Sequence, residues 1–259
     1  MKTITLLDGT EHKIPDLLDK MEGDEFYYGY LGKAALSSSS IKKLLYSPRA
    51  YQDSLAHSSA ETKALREGKL IHALLLEPQK AEGFISVDVS TRATKKFKEA
   101  VAEHGVDNVF TEAELSMARR LVNRLKECEE AYDLVYGAAT EIPAIGEIMG
   151  KPFRAKADIL HKGLRIVDLK TTGNGLHKFK YAAYDFGYDA QAAIYTHLFQ
   201  IERFTFLVLD KSTGDIGIYE TSEEFINSGK KKVARAVEYY QKYFEQGEAI
   251  SSFVHRGTL

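Results

Sequence analysis

Two apolar runs of β-strand character, Ala155-Lys156-Ala157-Asp158-Ile159-Leu160 and Arg165-Ile166-Val167-Asp168-Leu169-Lys170-Thr171-Thr172, constrain this chain more than any other stretch. Side chains on a strand alternate faces with a period of two, so Asp168 and Lys170 share one face while Val167 and Leu169 take the other. One face is then expected to be core and the other chemistry. The intervening His161-Lys162-Gly163 suits a hairpin turn, which brings the Asp158 carboxylate beside that of Asp168. Two carboxylates and a lysine converge. Like charges held that close repel, and a divalent cation between them relieves the repulsion. The expectation is a Mg²⁺ site.

A bare acid-x-Lys also occurs at Glu11-His12-Lys13, Glu61-Thr62-Lys63 and Glu67-Gly68-Lys69. None of these lies in an apolar β-like run, and only the Asp168 copy follows a second strand with its own acid. The competing reading is a salt bridge on an exposed strand face.

The 259 residues suit one domain with a full core, and 44% hydrophobic with 28% charged residues is ordinary for a globular protein. No apolar run approaches the ~18 residues of a membrane span. Met1-Lys2-Thr3-Ile4-Thr5-Leu6-Leu7-Asp8 meets an acid too early for a signal peptide, so a cytoplasmic location is expected. The single cysteine, Cys128, excludes an internal disulfide and any Cys-rich metal cluster within the chain, and is expected to pack on a helix as a small apolar residue. A net charge of −2 leaves any DNA contact to local clusters such as Lys95-Lys96-Phe97-Lys98, Lys178-Phe179-Lys180 and Lys230-Lys231-Lys232. Gly32-Lys33 is followed by Ala34 and lacks the upstream glycine of a phosphate-binding loop, which argues against an NTP-driven motor.

Ser37 to Ser40 offer caps for a helix over Ile41 to Tyr46, which Ser47-Pro48 stops before another begins. A further helix is expected over Lys63 to Leu76, ending at Glu77-Pro78, with Leu65, Ile71, His72, Leu75 and Leu76 on an inward stripe. An amphipathic helix follows from Glu112 to Tyr136 through Leu115, Ala118, Leu121, Leu125 and Cys128. Glu141 to Thr172 reads as three strands, Tyr188 to Phe199 as a single crossing helix, and Phe204 to Leu209 with Ile216 to Thr221 as two more strands. A helix from Glu223 to Gln246 closes the chain. On the crossing helix Gln191 and Tyr195 are four apart and share a face. Residues 1–35 carry no role in this reading, and 36–259 form one domain, helical over 36–137 with the catalytic sheet and helices over 138–246.

The chain resembles the PD-(D/E)XK nuclease superfamily, and within it the RecE-type (exonuclease VIII) group of the RecB-like branch. The resemblance rests on Leu36-Ser37-Ser38-Ser39-Ser40, Gly68-Lys69-Leu70-Ile71-His72, Glu141, Asp158, Asp168-Leu169-Lys170-Thr171-Thr172 and Gly187-Tyr188-Asp189-Ala190-Gln191, which occur in family order. It implies an α/β (α+β) restriction-endonuclease-like core: a central mixed sheet flanked by helices, with an N-terminal helical region. It further implies that His72, Asp158, Asp168 and the Leu169 carbonyl ligate Mg²⁺, or Mn²⁺ in its place, and that Lys170 positions the attacking water. Gln191 and Tyr195 resemble the helix pair that supports that lysine and meets a DNA phosphate; read alone, Tyr195 is a core aromatic and Gln191 faces solvent. Glu141 falls at the family's early acidic position, as an outer ligand. Arg92, Lys95, Lys96 and Lys178 are placed along a DNA path, with exposed helix faces as the other reading.

The function implied is a 5′-to-3′, processive exonuclease acting on double-stranded DNA ends. It would work in a homo-oligomeric ring and leave 3′ overhangs for a RecT-like or Bet-like single-strand annealing protein. Bacterial or phage-encoded origin and no membrane partner go with that. The alternatives are a same-fold nuclease for single-stranded, flap or branched DNA, an inert DNA-binding or inhibitory protein, and an unrelated metal-dependent hydrolase.

Overall fold

The computed structural model describes residues 2–57 and 61–255. Its N-terminal lobe pairs two short antiparallel strands, β1 (Thr3–Thr5) and β2 (Glu11–Lys13), followed by α1 (Ile14–Met21), a π-helical stretch Glu25–Tyr30 and the single turn α2 (Leu31–Ala34). Ile4, Leu17, Met21, Tyr27 and Leu31 form a cluster that closes on Ile145, a residue of the main sheet.

Helices α3 (Ser38–Tyr46) and α4 (Pro48–Ala56) start where the serines allow. The hydroxyls of Ser37 and Ser47 accept from the Ser40 and Ala50 amides, and Pro48 occupies a first-turn position where a missing N–H costs nothing. Helix α5 (Lys63–Leu76), capped by Thr62, keeps its expected bounds. It buries Leu70, Ile71 and Leu76, whereas Leu65, expected on that stripe, remains exposed. Seven residues before His72, Leu65 lies on the His72 side of the helix rather than the Leu70–Ile71 side.

After α6 (Pro78–Ala81), β3 (Ile85–Val87), α7 (Lys95–His104) and β4 (Val109–Thr111) build a satellite around Phe97 and Val109. The helix expected from Glu112 to Tyr136 is two: α8 (Glu112–Glu127) and α9 (Glu129–Asp133). They are separated by Cys128, which is extended at φ −92°, ψ 103°. The break lets Ala131 and Leu134 turn into the core already lined by Leu121 and Leu125.

The remaining elements are β5 (Ala139–Ile148), β6 (Lys151–His161), β7 (Arg165–Thr172), α10 (Leu176–Asp185), α11 (Tyr188–Phe199), β8 (Phe204–Asp210), β9 (Ile216–Glu220) and α12 (Glu223–Tyr240). The last runs into a π-helical turn over Gln241–Glu245, where a continuous helix was expected. The five strands form one mixed sheet in the order β5-β6-β7-β8-β9, with β7 and β8 parallel and the other pairs antiparallel. A parallel pair requires a crossover, and here it consists of α10 and α11 instead of one helix.

Both sheet faces are core. Val167, Leu169, Leu207 and Leu209 pack with residues of α5 and α8; Ile166, Phe204, Phe206 and Val208 pack with α11 and α12. The division into a core face and a chemical face is therefore corrected. The three acids Glu141, Asp158 and Asp168 lie at one end of the sheet, where β6 and β7 separate beyond the Ile159↔Val167 pair.

Candidate active site

Strand register alone sets three acids in a row. In the β5–β6 ladder Thr140 faces Ile159 and Ile142 faces Ala157, so Glu141 stands opposite Asp158. One step past the Ile159↔Val167 pair, Asp158 stands opposite Asp168. The ladder opens here because side chains take over its hydrogen bonds: the Leu169 amide donates to Asp158 Oδ2 at 2.8 Å. Glu141 adopts a left-handed backbone (φ 55°), a conformation that costs a non-glycine residue energy and is found mostly where surrounding structure imposes it.

Helix α5 lays His72 across this row. Its Nε2 lies 3.2 Å from Asp158 Oδ1 and 3.3 Å from Glu141 Oε1. Apart from that imidazole, the buried Glu141 Oε1 has no hydrogen-bond partner. Glu77, at the C-terminal cap of α5, completes a group with His72 and Glu141 in which one ligand atom from each lies within 4.8 Å of the others. Burial would depress the His72 pKa, but the charge and hydrogen bond of Asp158, with the charges of Glu141 and Glu77, raise it to about 9. Burial lifts Glu141 to about 7 against the pull of His72. For Asp158 burial is outweighed by His72, Lys170 and the Leu169 amide, and its pKa is lowered.

Asp168 is almost completely buried and is held from two sides. Its Oδ1 accepts from the Gln191 amide at 2.6 Å, and its Oδ2 is ion-paired with Lys170. Burial nevertheless raises its pKa to about 6, with Lys170 opposing and Asp158 adding to the rise. The Lys170 ammonium also lies 4.9 Å from the Tyr188 ring centroid, and Asp168 and Asp158 raise its pKa despite burial. The acids are thus neutralised by His72 and Lys170. A metal is not the only agent able to hold them together, which corrects the sequence argument from repulsion.

Gln191 does not face solvent; it bonds Asp168 rather than the lysine. Two residues before it, Asp189 ties α11 to α12: its buried carboxylate accepts from Ser228 at 2.8 Å and from Lys232 at 3.0 Å. Tyr195, one turn on, is 7% exposed and packs edge-on against Phe204, so burial pushes its hydroxyl pKa well up.

A cleft of about 200 Å³ opens on His72, Glu141 and Asp158. Two cations that sequence reading missed line it: Arg154 and Lys156. They occupy the β6 positions four and two before Asp158, so the period-two rule could have found them. Ser37 to Ser39 at the start of α3 and Tyr27 and Tyr28 of the N-terminal lobe complete the wall.

The structure does not bring the other expected cations to this cleft. Arg92 is taken up by Glu114, with Nη2 3.0 Å from Oε2, and lies over the Phe97 and Phe110 rings at 5.0 and 5.7 Å. Lys95 is exposed and 3.6 Å from Glu99, Lys96 is exposed on α7, and Lys178 is exposed on α10.

Compared with known sequences, residues 37–251 match the family described as PDDEXK-like domain of unknown function (DUF3799). The chain belongs to this family. The matched segment contains Asp158 and Asp168-Leu169-Lys170, an acid followed by acid-x-Lys. Among solved structures, a candidate exonuclease from Eubacterium rectale superposes with a TM-score of 0.63 at 18% identity, covering 92% of this chain and 95% of that one. That likeness establishes the fold. A phage-related exonuclease from Haemophilus somnus 129PT aligns over 82% of this chain and 96% of its own at 14% identity, with a TM-score of 0.37. No curated protein matches the chain.

The DUF3799 site has the donor set a divalent cation needs. It offers several carboxylate oxygens and one imidazole, including Glu141 Oε1, whose neighbour is the His72 imidazole, in a cleft open to solvent. No helix among the described residues is long and apolar enough to cross a membrane.

Proposed function

We propose that this DUF3799 chain is a divalent-metal-dependent exodeoxyribonuclease that degrades double-stranded DNA from its ends in the 5′-to-3′ direction. The observation that carries the reading is the convergence of Glu141, Asp158, Asp168 and Lys170 from three adjacent strands, with His72 laid over them. His72, Glu77, Glu141, Asp158 and Asp168 would hold Mg²⁺ or Mn²⁺, with the Leu169 carbonyl as a further ligand. Such an ion supplies Lewis acidity toward a phosphoryl oxygen and a lowered pKa for a bound water.

The chain's own residues do the rest. Lys170, fixed between Asp168 and the Tyr188 ring, keeps a positive charge at the reacting phosphate and orients the attacking water. Gln191 holds the Asp168 carboxylate in place through its Oδ1. Arg154 and Lys156 attract the phosphate backbone into the cleft, and neighbouring Ser37 to Ser39 supply hydroxyl donors. A processive ring, 3′ overhangs passed to a RecT-like or Bet-like annealing protein, and action in the bacterial cytoplasm on behalf of a phage or prophage complete the proposed role.

Linear duplexes labelled separately at the 5′ and 3′ ends, with a closed circle as control, test this in Mg²⁺ and in EDTA. Loss of the 5′ label in Mg²⁺ alone, with the circle intact, is expected. Cutting of the circle overturns the exonuclease assignment, and no cutting of any DNA overturns the nuclease assignment. Asp168→Ala and Lys170→Ala should each abolish cleavage while the circular-dichroism spectrum is preserved; full activity in either removes these residues from the site.

A further inference from the structure

The N-terminal lobe lies outside residues 37–251, the part shared with the family, yet it forms one wall of the cleft. The contact is specific. Asp24 reaches Lys156 at 3.2 Å and Lys80 at 3.1 Å, which fixes the lobe against β6 and α6. One π-helical turn on, Tyr27 is buried with its ring 4.3 Å from the Arg154 guanidinium and 4.7 Å from the Lys156 ammonium. Tyr27 in turn props Tyr28, the two rings meeting edge to face at 4.9 Å and 84°. Tyr28 itself is 64% exposed. π-Helical turns are rare and occur often at functional sites, where they re-aim side chains.

The result is a supported aromatic face at the mouth of the cleft, beside two cations and the acid row. An aromatic ring next to phosphate-attracting cations matches one ligand chemistry: a planar base joined to a phosphodiester. We propose that Tyr28 is a stacking platform for the nucleobase next to the scissile phosphate, splayed from the end of the DNA. Arg154 and Lys156 hold the phosphate while Tyr28 takes the base, so the N-terminal lobe selects frayed or unpaired end nucleotides over bases held in the duplex. A base stacks on any aromatic ring without sequence preference, and the platform therefore measures end structure, not sequence.

This inference rests on the nuclease reading, and its test separates the two. DNA duplexes carrying 2-aminopurine either at the 5′ terminal position or ten base pairs inside are titrated with the chain in EDTA, followed by fluorescence. Tyr28→Ala, Tyr28→Phe and Tyr28→Trp are compared with the wild type. Quenching of the terminal but not the internal probe is expected for wild type and for the Phe and Trp variants. Tyr28→Ala should lose that quenching, bind the duplex about tenfold more weakly, and show the loss in KM rather than kcat when Mg²⁺ is added. Because Tyr28 is exposed, its variants should melt with the wild type. A Tyr28→Ala protein that quenches, binds and cleaves as the wild type does overturns this inference alone. A wild-type chain that binds no DNA overturns both this inference and the nuclease reading.

Discussion

Gly229→Ala should destabilise this protein by more than any helix-propensity argument allows. Gly229 sits in the middle of α12, where alanine is intrinsically favoured by about 1 kcal/mol. A Cβ built there, however, would lie 2.0 Å from the Asp189 carbonyl oxygen, 2.4 Å from its carbon and 2.9 Å from the Ala190 nitrogen. All three are backbone atoms of α11 and none can rotate away. Restoring ordinary contact at 3.4 Å requires α11 and α12 to part by about 1.4 Å along that line. Overpacking of this kind costs about 1–3 kcal/mol. The same shift strains the bonds from Ser228 and Lys232 to the buried Asp189, worth about 1.5–3 kcal/mol each when made to a charged group. The clash outweighs the propensity gain, and a net loss of about 3–5 kcal/mol is expected, lowering Tm by roughly 10 °C for a chain of this size. The consequence reaches the site. Gln191 lies two residues from the contact, and an equal shift takes its 2.6 Å bond to Asp168 beyond hydrogen-bonding range. Urea denaturation followed by circular dichroism measures the first effect; cleavage of linear duplex at 20 °C, well below the melt, measures the second. A Gly229→Ala protein as stable as wild type would refute the argument, since it would mean the two helices part at no cost.

Arg92→Ala should cost about 2 kcal/mol in a urea melt, because it removes charge-assisted bonds to the half-buried Glu114 and the ring contacts to Phe97 and Phe110. Lys95→Ala, which loses only an exposed pair with Glu99, should change stability by no more than about 0.5 kcal/mol. Without metal, stability should fall as pH rises from about 4.5 to about 9. The folded-state pKa values of Asp168, Glu141 and His72 are all raised, to about 6, 7 and 9, so each contributes fully below its unfolded value and loses that contribution as pH passes its folded one. Melting temperatures in EDTA at pH 5, 7 and 9 check this, and a flat profile refutes it. The same protons must leave before a cation binds, so Mn²⁺ affinity should climb over that range, read by calorimetry in two buffers of different ionisation enthalpy; proton-neutral binding would contradict the ligand set.

The parts of the fold with a strong local signature were legible from sequence. Helices α5 and α11 keep their expected bounds, α5 because Thr62 caps its start and Pro78 follows its end, whereas α3 begins at Ser38, three residues before the expected Ile41. Strands β6 and β7 were legible because apolar runs with embedded acids separated by Lys162-Gly163 leave little choice. The structure brings His72, Glu141, Asp158, Asp168, Lys170 and Gln191 to one end of the sheet, with Glu141 Oε1 3.3 Å from His72 Nε2 and Gln191 bonded to Asp168. What was not legible depends on distant pairing. In the N-terminal lobe the three-residue strands and the π-helical turn are too short to carry a period, and Tyr27 gains meaning only from Arg154, far along the chain. Helix α10 starts after Gly173-Asn174-Gly175 without a side-chain cap, so nothing announces it. Glu77 reads as a helix end, and only its placement beside His72 and Glu141 makes it a ligand candidate.

The electrostatics of the site tie these observations to one requirement. Three carboxylates, Glu141, Asp158 and Asp168, crowd a largely buried end of the sheet, and among the described residues the cations paired with Asp158 and Asp168 there are His72 and Lys170. Lys170 has no low-energy way to lose its charge, since both acids raise its pKa. His72 does: its proton leaves near pH 9 without metal, and earlier if a cation competes for the same lone pair. On the proposed reading His72 is therefore a counter-ion in the metal-free protein and a ligand in the loaded one, and exchange of its proton for a dication keeps the acid row balanced throughout. Asparagine at 72 would retain a hydrogen bond to Asp158 but could do neither job, so His72→Asn should weaken metal binding and the metal-free fold together. A surface histidine that merely happened to lie near two acids would affect neither.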